Sequence, residues 1–114
     1  MQGDDRARAE GAAHEVERLT FFDPRTGLPN RRLFVDRLVE RLIAADVRNE
    51  QVALMIVRPD RVRALRAALG DPAIDSLIAR LAVRIGEAAG TGALLGRLDD
   101  DRLALTLAPV AGAD

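Results

Sequence analysis

Three consecutive aspartates, Asp99, Asp100 and Asp101, run directly into Arg102 and form the densest set of chemically capable side chains in the sequence. Adjacent carboxylates are hard oxygen ligands of the kind a divalent cation takes. The run lacks the glycine and the distal glutamate of a calcium loop, so it does not make one. A second set is basic: Arg58, Arg61, Arg63 and Arg66 fall close together. Guanidinium forks match the oxygens of phosphates and carboxylates. The cluster therefore reads as a patch for a phosphate or an acidic partner surface, or as internal compensation for nearby carboxylates. Clustered charge is usually paired, which favours compensation. The single histidine, His14, has nothing polar spaced to orient it and reads as a solvated helix residue. There is no cysteine. Disulfides, thiolate zinc sites and histidine-built metal sites are excluded, and no metal and no cofactor is expected.

Composition limits the partners. The chain of 114 residues suits one small domain. Hydrophobic residues make up 48% and aromatics 3%, so the core must be built from Leu, Val, Ile and Ala. The formal net charge is -1, which offers no global field for nucleic acid or an acidic membrane. No apolar run is long enough to span a bilayer. The charged first ten residues do not form a secretory signal, so a cytoplasmic protein is the expectation.

The elements that must position these side chains can be read from periodicity. Residues 1–22 read as an N-terminal linker or helix: residues 1–11 are frayed or helical only in context, and the rest forms a short amphipathic helix with Val16, Leu19 and Phe22 spaced by three. That stripe is either a tail packed on its own domain or a dimerising helix. Residues 22–30 hold Pro24, Gly27, Pro29 and Asn30 and must be a turn. A helix follows, with Leu33, Phe34, Leu38, Leu42 and Ile43 as its apolar stripe. Gln51–Val57 is a continuous apolar run and reads as a buried strand. Pro59 stops it, and Asp60 is placed to cap the next helix, whose inner face is Val62, Leu65 and Leu69. Gly70 ends that helix. Asp71-Pro72 opens another, with Ile74, Leu77, Ile78, Leu81, Ala82 and Ile85 inward. A hairpin follows: strands over residues 93–98 and 102–107 around the acidic turn, with Leu103, Leu105 and Leu107 alternating as in a half-buried strand. Residues 109–114 read as a frayed tail. The order helix, strand, helix, helix, strand, strand predicts an α/β fold with helices layered on a small sheet.

The run Asp23-Pro24-Arg25-Thr26-Gly27-Leu28-Pro29-Asn30-Arg31-Arg32-Leu33-Phe34 resembles the opening signature DxLTGLxNRRxF of the GGDEF (diguanylate cyclase-like) family. It departs only at Arg25, where the family usually has leucine. Asp23, Thr26, Gly27, Leu28, Asn30, Arg31 and Arg32 carry the match. The likeness covers roughly residues 19–107 and implies a nucleotide-cyclase-like fold over residues 23–108, incomplete at its C-terminal end. In structural terms, Asp23 can accept backbone hydrogen bonds in the turn and pair with Arg31 or Arg32, while Gly27 supplies a backbone angle that other residues avoid.

The same resemblance argues against cyclase chemistry. The family's first metal carboxylate falls at Arg58, and a guanidinium cannot ligate magnesium. The GGDEF motif itself corresponds to Asp99-Asp100-Asp101-Arg102-Leu103. Both glycines become aspartates that crowd and repel phosphate, and the catalytic glutamate becomes Arg102. Of the guanine-reading pair, the asparagine position holds Arg66, while the aspartate is kept as Asp75, a possible remnant nucleotide contact. The inhibitory product site falls on Gly90 and Ala93 and is lost. Arg97 before the motif is retained. Arg58 is expected to face Asp99, Asp100 or Asp101, an arginine–aspartate pair standing where the metal stood. The resemblance thus implies a non-catalytic regulatory or protein-interaction module of a cyclic di-GMP signalling protein. It would be a possible homodimer, or a partner of another protein or of an adjacent domain such as an EAL phosphodiesterase. Two alternatives remain: a degenerate GTP or nucleotide sensor regulating an adjacent EAL domain, and an active diguanylate cyclase.

Overall fold

The computed structural model describes the backbone of residues 2–112 and the side chains of residues 5–112. The chain opens with α1 (Gln2–Phe21), passes through a turn, and enters α2 (Arg31–Val47). Next come β1 (Glu50–Gln51), β2 (Leu54–Val57), α3 (Val62–Leu69) and α4 (Asp71–Ala89). The hairpin β3 (Leu94–Arg97) and β4 (Leu103–Thr106) follows, and β5 (Val110–Ala111) ends it. The α/β expectation holds. No helix among the described residues is long and apolar enough to cross a membrane.

The main sheet has the order β2-β4-β3 and is antiparallel throughout, with Ile56 and Gly96 both opposite Ala104. Successive side chains on a strand point to opposite faces, so each face of the central strand β4 needs its own cover. Leu103 packs with Val62 of α3 and with Ile74, Ile78 and Ala82 of α4. On the opposite face, α2 crosses so closely that a Cβ at Gly96 would lie 2.6 Å from Phe34 Cβ. Arg41, also on α2, donates to Thr106 Oγ1 at 3.0 Å and to the Leu107 carbonyl at 3.3 Å. All four residues of β4 are buried. The half-buried strand read from Leu103, Leu105 and Leu107 is therefore corrected: a central strand between two helical layers is covered on both faces.

The opposite correction applies to β2. It was expected to be buried, yet Leu54, Met55 and Ile56 are 49%, 49% and 54% exposed, because β2 lies at the margin of the sheet and among the described residues pairs with β4 alone. An apolar run cannot distinguish a central strand from an uncovered edge. On α2 the inward residues are Phe34, Leu38, Arg41 and Ala45, while Leu42 and Ile43 of the expected stripe point outward. Leu65 and Leu69 of α3, and Leu77 of α4, are likewise exposed. At the ends, α1 is one continuous helix, the helical of the two readings offered for residues 1–11, while Val110–Ala111 of the expected frayed tail is corrected: it pairs antiparallel with Glu50–Gln51. Val16 and Leu19 lie on the exposed surface of α1, whereas Phe22 falls after the helix, half-buried, its backbone bridged to Pro29.

Candidate functional site

Two turns meet at one end of the sheet: the turn between α1 and α2, and the acidic turn between β3 and β4. The first is held by its own side chains. Asp23 Oδ2 accepts from the Thr26 backbone N–H at 3.0 Å and from the Thr26 hydroxyl at 2.6 Å. Gly27 turns the chain at φ 76°, a left-handed value that side chains disfavour. Asn30 caps α2 by accepting from Leu33 N–H at 3.0 Å, and its amide donates to the Thr20 carbonyl at 2.8 Å. Arg97 N–H donates to the Pro29 carbonyl at 2.8 Å, which splices this turn onto β3.

Arg97 joins the two turns. Its side chain is only 2% exposed. One guanidinium nitrogen donates to Asp23 Oδ2 at 3.0 Å and the other to Asp75 Oδ1 at 2.9 Å. The same side chain donates to the carbonyls of Asp99 at 3.1 Å and Asp100 at 2.6 Å, so it grips the acidic turn by its backbone. Arg25 closes the arrangement from outside. It donates to Asp100 Oδ1 at 2.7 Å and stands 3.8 Å from Asp75 and 3.9 Å from Asp23. Arg102 donates to Asp99 Oδ2 at 2.7 Å.

The charges respond accordingly. Burial pushes the Asp23 carboxyl up, but the hydrogen bonds from Thr26 and Arg97 and the Arg97 charge outweigh it, leaving the group below its ordinary value. The hydrogen bond from Arg102 holds Asp99 low against its own partial desolvation. The hydrogen bond to Asp100 raises the Arg25 guanidinium above its ordinary value.

A second corner lies where β2 ends. Arg58, Pro59, Asp60, Arg61, Val62, Arg63 and Asp101 surround a concavity of about 270 Å³. The expected pairing of Arg58 with Asp99, Asp100 or Asp101 does not form. Asp99 is taken by Arg102 and Asp100 by Arg25, and among the described residues no carboxylate lies within 4.0 Å of the Arg58 guanidinium. Arg66 does not join the cluster; it pairs with Asp71 at 3.0 Å. Asp60 does not cap α3 either. Its carboxylate accepts from the adjacent Arg61 N–H at 3.0 Å, and Arg61 becomes an N-cap without a side-chain hydrogen bond. Magnesium, which the family resemblance implies, needs hard oxygen ligands. Here the strand end carries a guanidinium, and among the described residues no group of three or more His, Cys, Asp or Glu side chains is arranged to hold a metal ion.

The structure thus brings Asp23, Thr26, Asp75, Asp99 and Asp100 together, with Gly27 and Asn30 shaping the turn and Leu28 packed against the core. Arg31 and Arg32 sit apart. The expected pairing of either with Asp23 is replaced by Arg97, and Arg32 lies instead over the Phe21 ring at 5.4 Å. Arg97 and Arg25 are the residues that sequence reasoning passed over as site members. A signal was present: Arg25 and Asp100 both depart from the resembled signature, with opposite charge, and they pair.

Comparison with known proteins agrees with this geometry. The family described as "Diguanylate cyclase, GGDEF domain" matches residues 20–113. The diguanylate cyclase TpbB of Pseudomonas aeruginosa is 38% identical over 93 residues, covering 81% of this chain and 21% of that protein. A solved structure of TpbB comprising only its GGDEF domain superposes with a TM-score of 0.70 at 34% identity, over 79% of this chain and 52% of that one. The coiled coil and GGDEF domain of DgcB from Caulobacter crescentus, solved with c-di-GMP, gives a TM-score of 0.77 at 22% identity, over 98% of this chain and 58% of that one. This last likeness speaks for the fold alone. The chain spans about a fifth of the curated relative's length and rather more than half of the solved chains. With its opening turn, hairpin and helical layers all matched, the chain belongs to the diguanylate cyclase GGDEF domain family of cyclic di-GMP signalling.

Proposed function

We propose that this chain is a non-catalytic regulatory or protein-interaction module rather than a working cyclase. One observation carries the reading: Asp75, the retained candidate for reading guanine, is already taken by Arg97 at 2.9 Å and approached by Arg25 at 3.8 Å. The Oδ1 oxygen of Asp75 is committed to this pair and its charge is already matched by Arg97, so a base would have to share the carboxylate with a buried guanidinium. The substitution of Arg58 and Arg102 for expected carboxylates supports the same reading, since neither can ligate a metal or act as a base near neutral pH.

A helix exposing Val16 and Leu19 supports self-association through α1. Small and apolar residues at Ala9, Ala12, Val16 and Leu19 follow the three-and-four spacing of a two-stranded seam. A phosphodiesterase (EAL) domain remains a candidate neighbour by family resemblance.

The test is incubation of the chain with GTP and magnesium, together with a calorimetric titration. Neither cyclic di-GMP nor saturable GTP binding is expected. Binding without turnover would make the domain a nucleotide sensor, and turnover would make it a cyclase. Removing residues 1–20 should convert a dimer to a monomer in sizing experiments; an unchanged dimer moves the contact to the outer edge of β2.

A further inference from the structure

We propose that the groove between α3 and α4 is a docking surface for an acidic amphipathic helix of a partner protein. The inference deepens the protein-interaction reading above, and rests on it only in taking the chain to bind a protein. It starts from three leucines expected to face inward. Of the α3 stripe Val62, Leu65 and Leu69, only Val62 is buried. On α4, Ile74 and Ile78 are buried while Leu77 is exposed. These leucines converge on one place. Leu65, Leu69 and Leu77, with Ala73 and Ile74, line a concavity of about 360 Å³, and Leu69 is 64% exposed. Single leucines scattered over a surface need no explanation, but a gathered apolar strip between two helices marks an interaction site.

Charge at the rim sets the partner's chemistry. Ser76 and Arg80 complete the lining. Ala73, Leu77, Arg80 and Arg84 recur at helical spacing along one side of α4, so the apolar floor runs into a basic lip. Arg80 and Arg84 are exposed, and among the described residues no carboxylate lies within 4.0 Å of either guanidinium. The nearby aspartates are already committed. Asp71 pairs with Arg66 at 3.0 Å across the α3–α4 junction, and Asp75 is held by Arg97 at 2.9 Å. Glu87 follows Arg84 on the same side of α4, so two guanidiniums stand against one carboxylate and the lip is net positive.

Dimensions favour a helix. α3 spans 8 residues, and Ala73 to Arg80 is two turns of α4. Both walls are therefore about 10–12 Å long, the reach of anchors at i, i+4 and i+7 on an incoming amphipathic helix. Glutamates flanking those anchors would meet Arg80 and Arg84, whereas a basic helix would be repelled. A second copy offering the same face is a poorer occupant. A two-fold contact sets like surfaces together and would bring the basic lips near one another.

The experiment is a fluorescence-anisotropy titration of the full chain into a labelled synthetic peptide of about 16 residues, long enough to hold a helix in water. The peptide carries leucines at i, i+4 and i+7 with glutamates flanking them. Saturable binding is expected at low salt and should weaken as salt rises. The same peptide with lysines for glutamates should bind about tenfold more weakly. The variant R80E/R84E should reverse that preference. Leu69→Gln should lose most of the binding yet melt like the parent, because its side chain is exposed. The proposal is overturned by the absence of saturable binding, by equal binding of the two peptides, or by an unaffected L69Q. Self-association of the full chain that L69Q abolishes would also overturn it, and would assign the groove to a second copy. Cyclic di-GMP formed from GTP and magnesium would overturn the non-catalytic reading, while the peptide titration decides the groove independently.

Discussion

Replacing Arg97 by alanine is the most informative single perturbation of this domain. The side chain is 2% exposed and makes ionic hydrogen bonds to Asp23 and Asp75, as well as bonds to two carbonyls of the acidic turn. Its removal leaves two carboxylates, 12% and 14% exposed, without their main partner. Breaking one side of a buried pair costs about 3–5 kcal/mol, because the remaining charge stays desolvated. Here some water reaches both carboxylates, and Arg25 stands 3.8 Å from Asp75 and 3.9 Å from Asp23. The lower end, about 3 kcal/mol, is therefore expected. With a urea slope of roughly 2 kcal/mol/M for a domain of this size, the midpoint should fall by about 1.5 M. In a thermal melt the loss corresponds to roughly 10–20 °C. Circular dichroism through a urea series measures it directly. Arg97→Lys should fall between the parent and the alanine variant, since an ammonium is a single point charge that cannot reproduce the fork. The variants R97A, D75N and R97A/D75N should be strongly non-additive. A loss below about 1 kcal/mol for R97A would refute the reasoning and reduce the pair to surface value.

Three other outcomes are expected. Arg25→Ala should cost no more than about 1 kcal/mol by urea denaturation, because its side chain is nearly half exposed and exposed pairs contribute little. Gly96→Ala should destabilise by about 1–3 kcal/mol, since the new methyl would stand 2.6 Å from Phe34 Cβ and force α2 off the sheet; an unchanged melting temperature would count against that packing. Asp23 and Asp99 have carboxyl groups held below their ordinary values in the fold. As pH falls, the unfolded chain therefore binds these protons first. Stability from both groups is present above the unfolded value of about 3.9 and declines as pH drops toward the lowered native values. Melts between neutral pH and about pH 3 should show that decline, and Asp23→Asn should flatten it; a decline of equal size in the variant would exclude Asp23 as a contributor.

What the sequence determined by itself was the local chemistry. The turn at residues 22–30 follows from Pro24, Gly27, Pro29 and Asn30, whose backbone limits act within a few residues. The helix after it, the helix pair broken at Gly70 and the hairpin around the aspartates are equally local, and so is the signature that marks the family. Which face of each element is buried was not local. Leu42 and Ile43 sit on the apolar side of a helical wheel, yet point outward, because α2 packs through Phe34 against the small Gly96 and through Arg41 against Thr106. Leu54–Ile56 has the composition of a buried strand, yet lies at the margin of the sheet, because only strand order distinguishes the two. The site followed the same division. The loss of carboxylates at positions 58 and 102 is visible in one letter each. That Arg97 unites Asp23 with Asp75 across 74 and 22 residues, and that Arg25 rather than Arg58 meets Asp100, depended on three-dimensional reach. Charge pairing is decided by distance and desolvation, and neither is defined until the sheet has brought the two turns together.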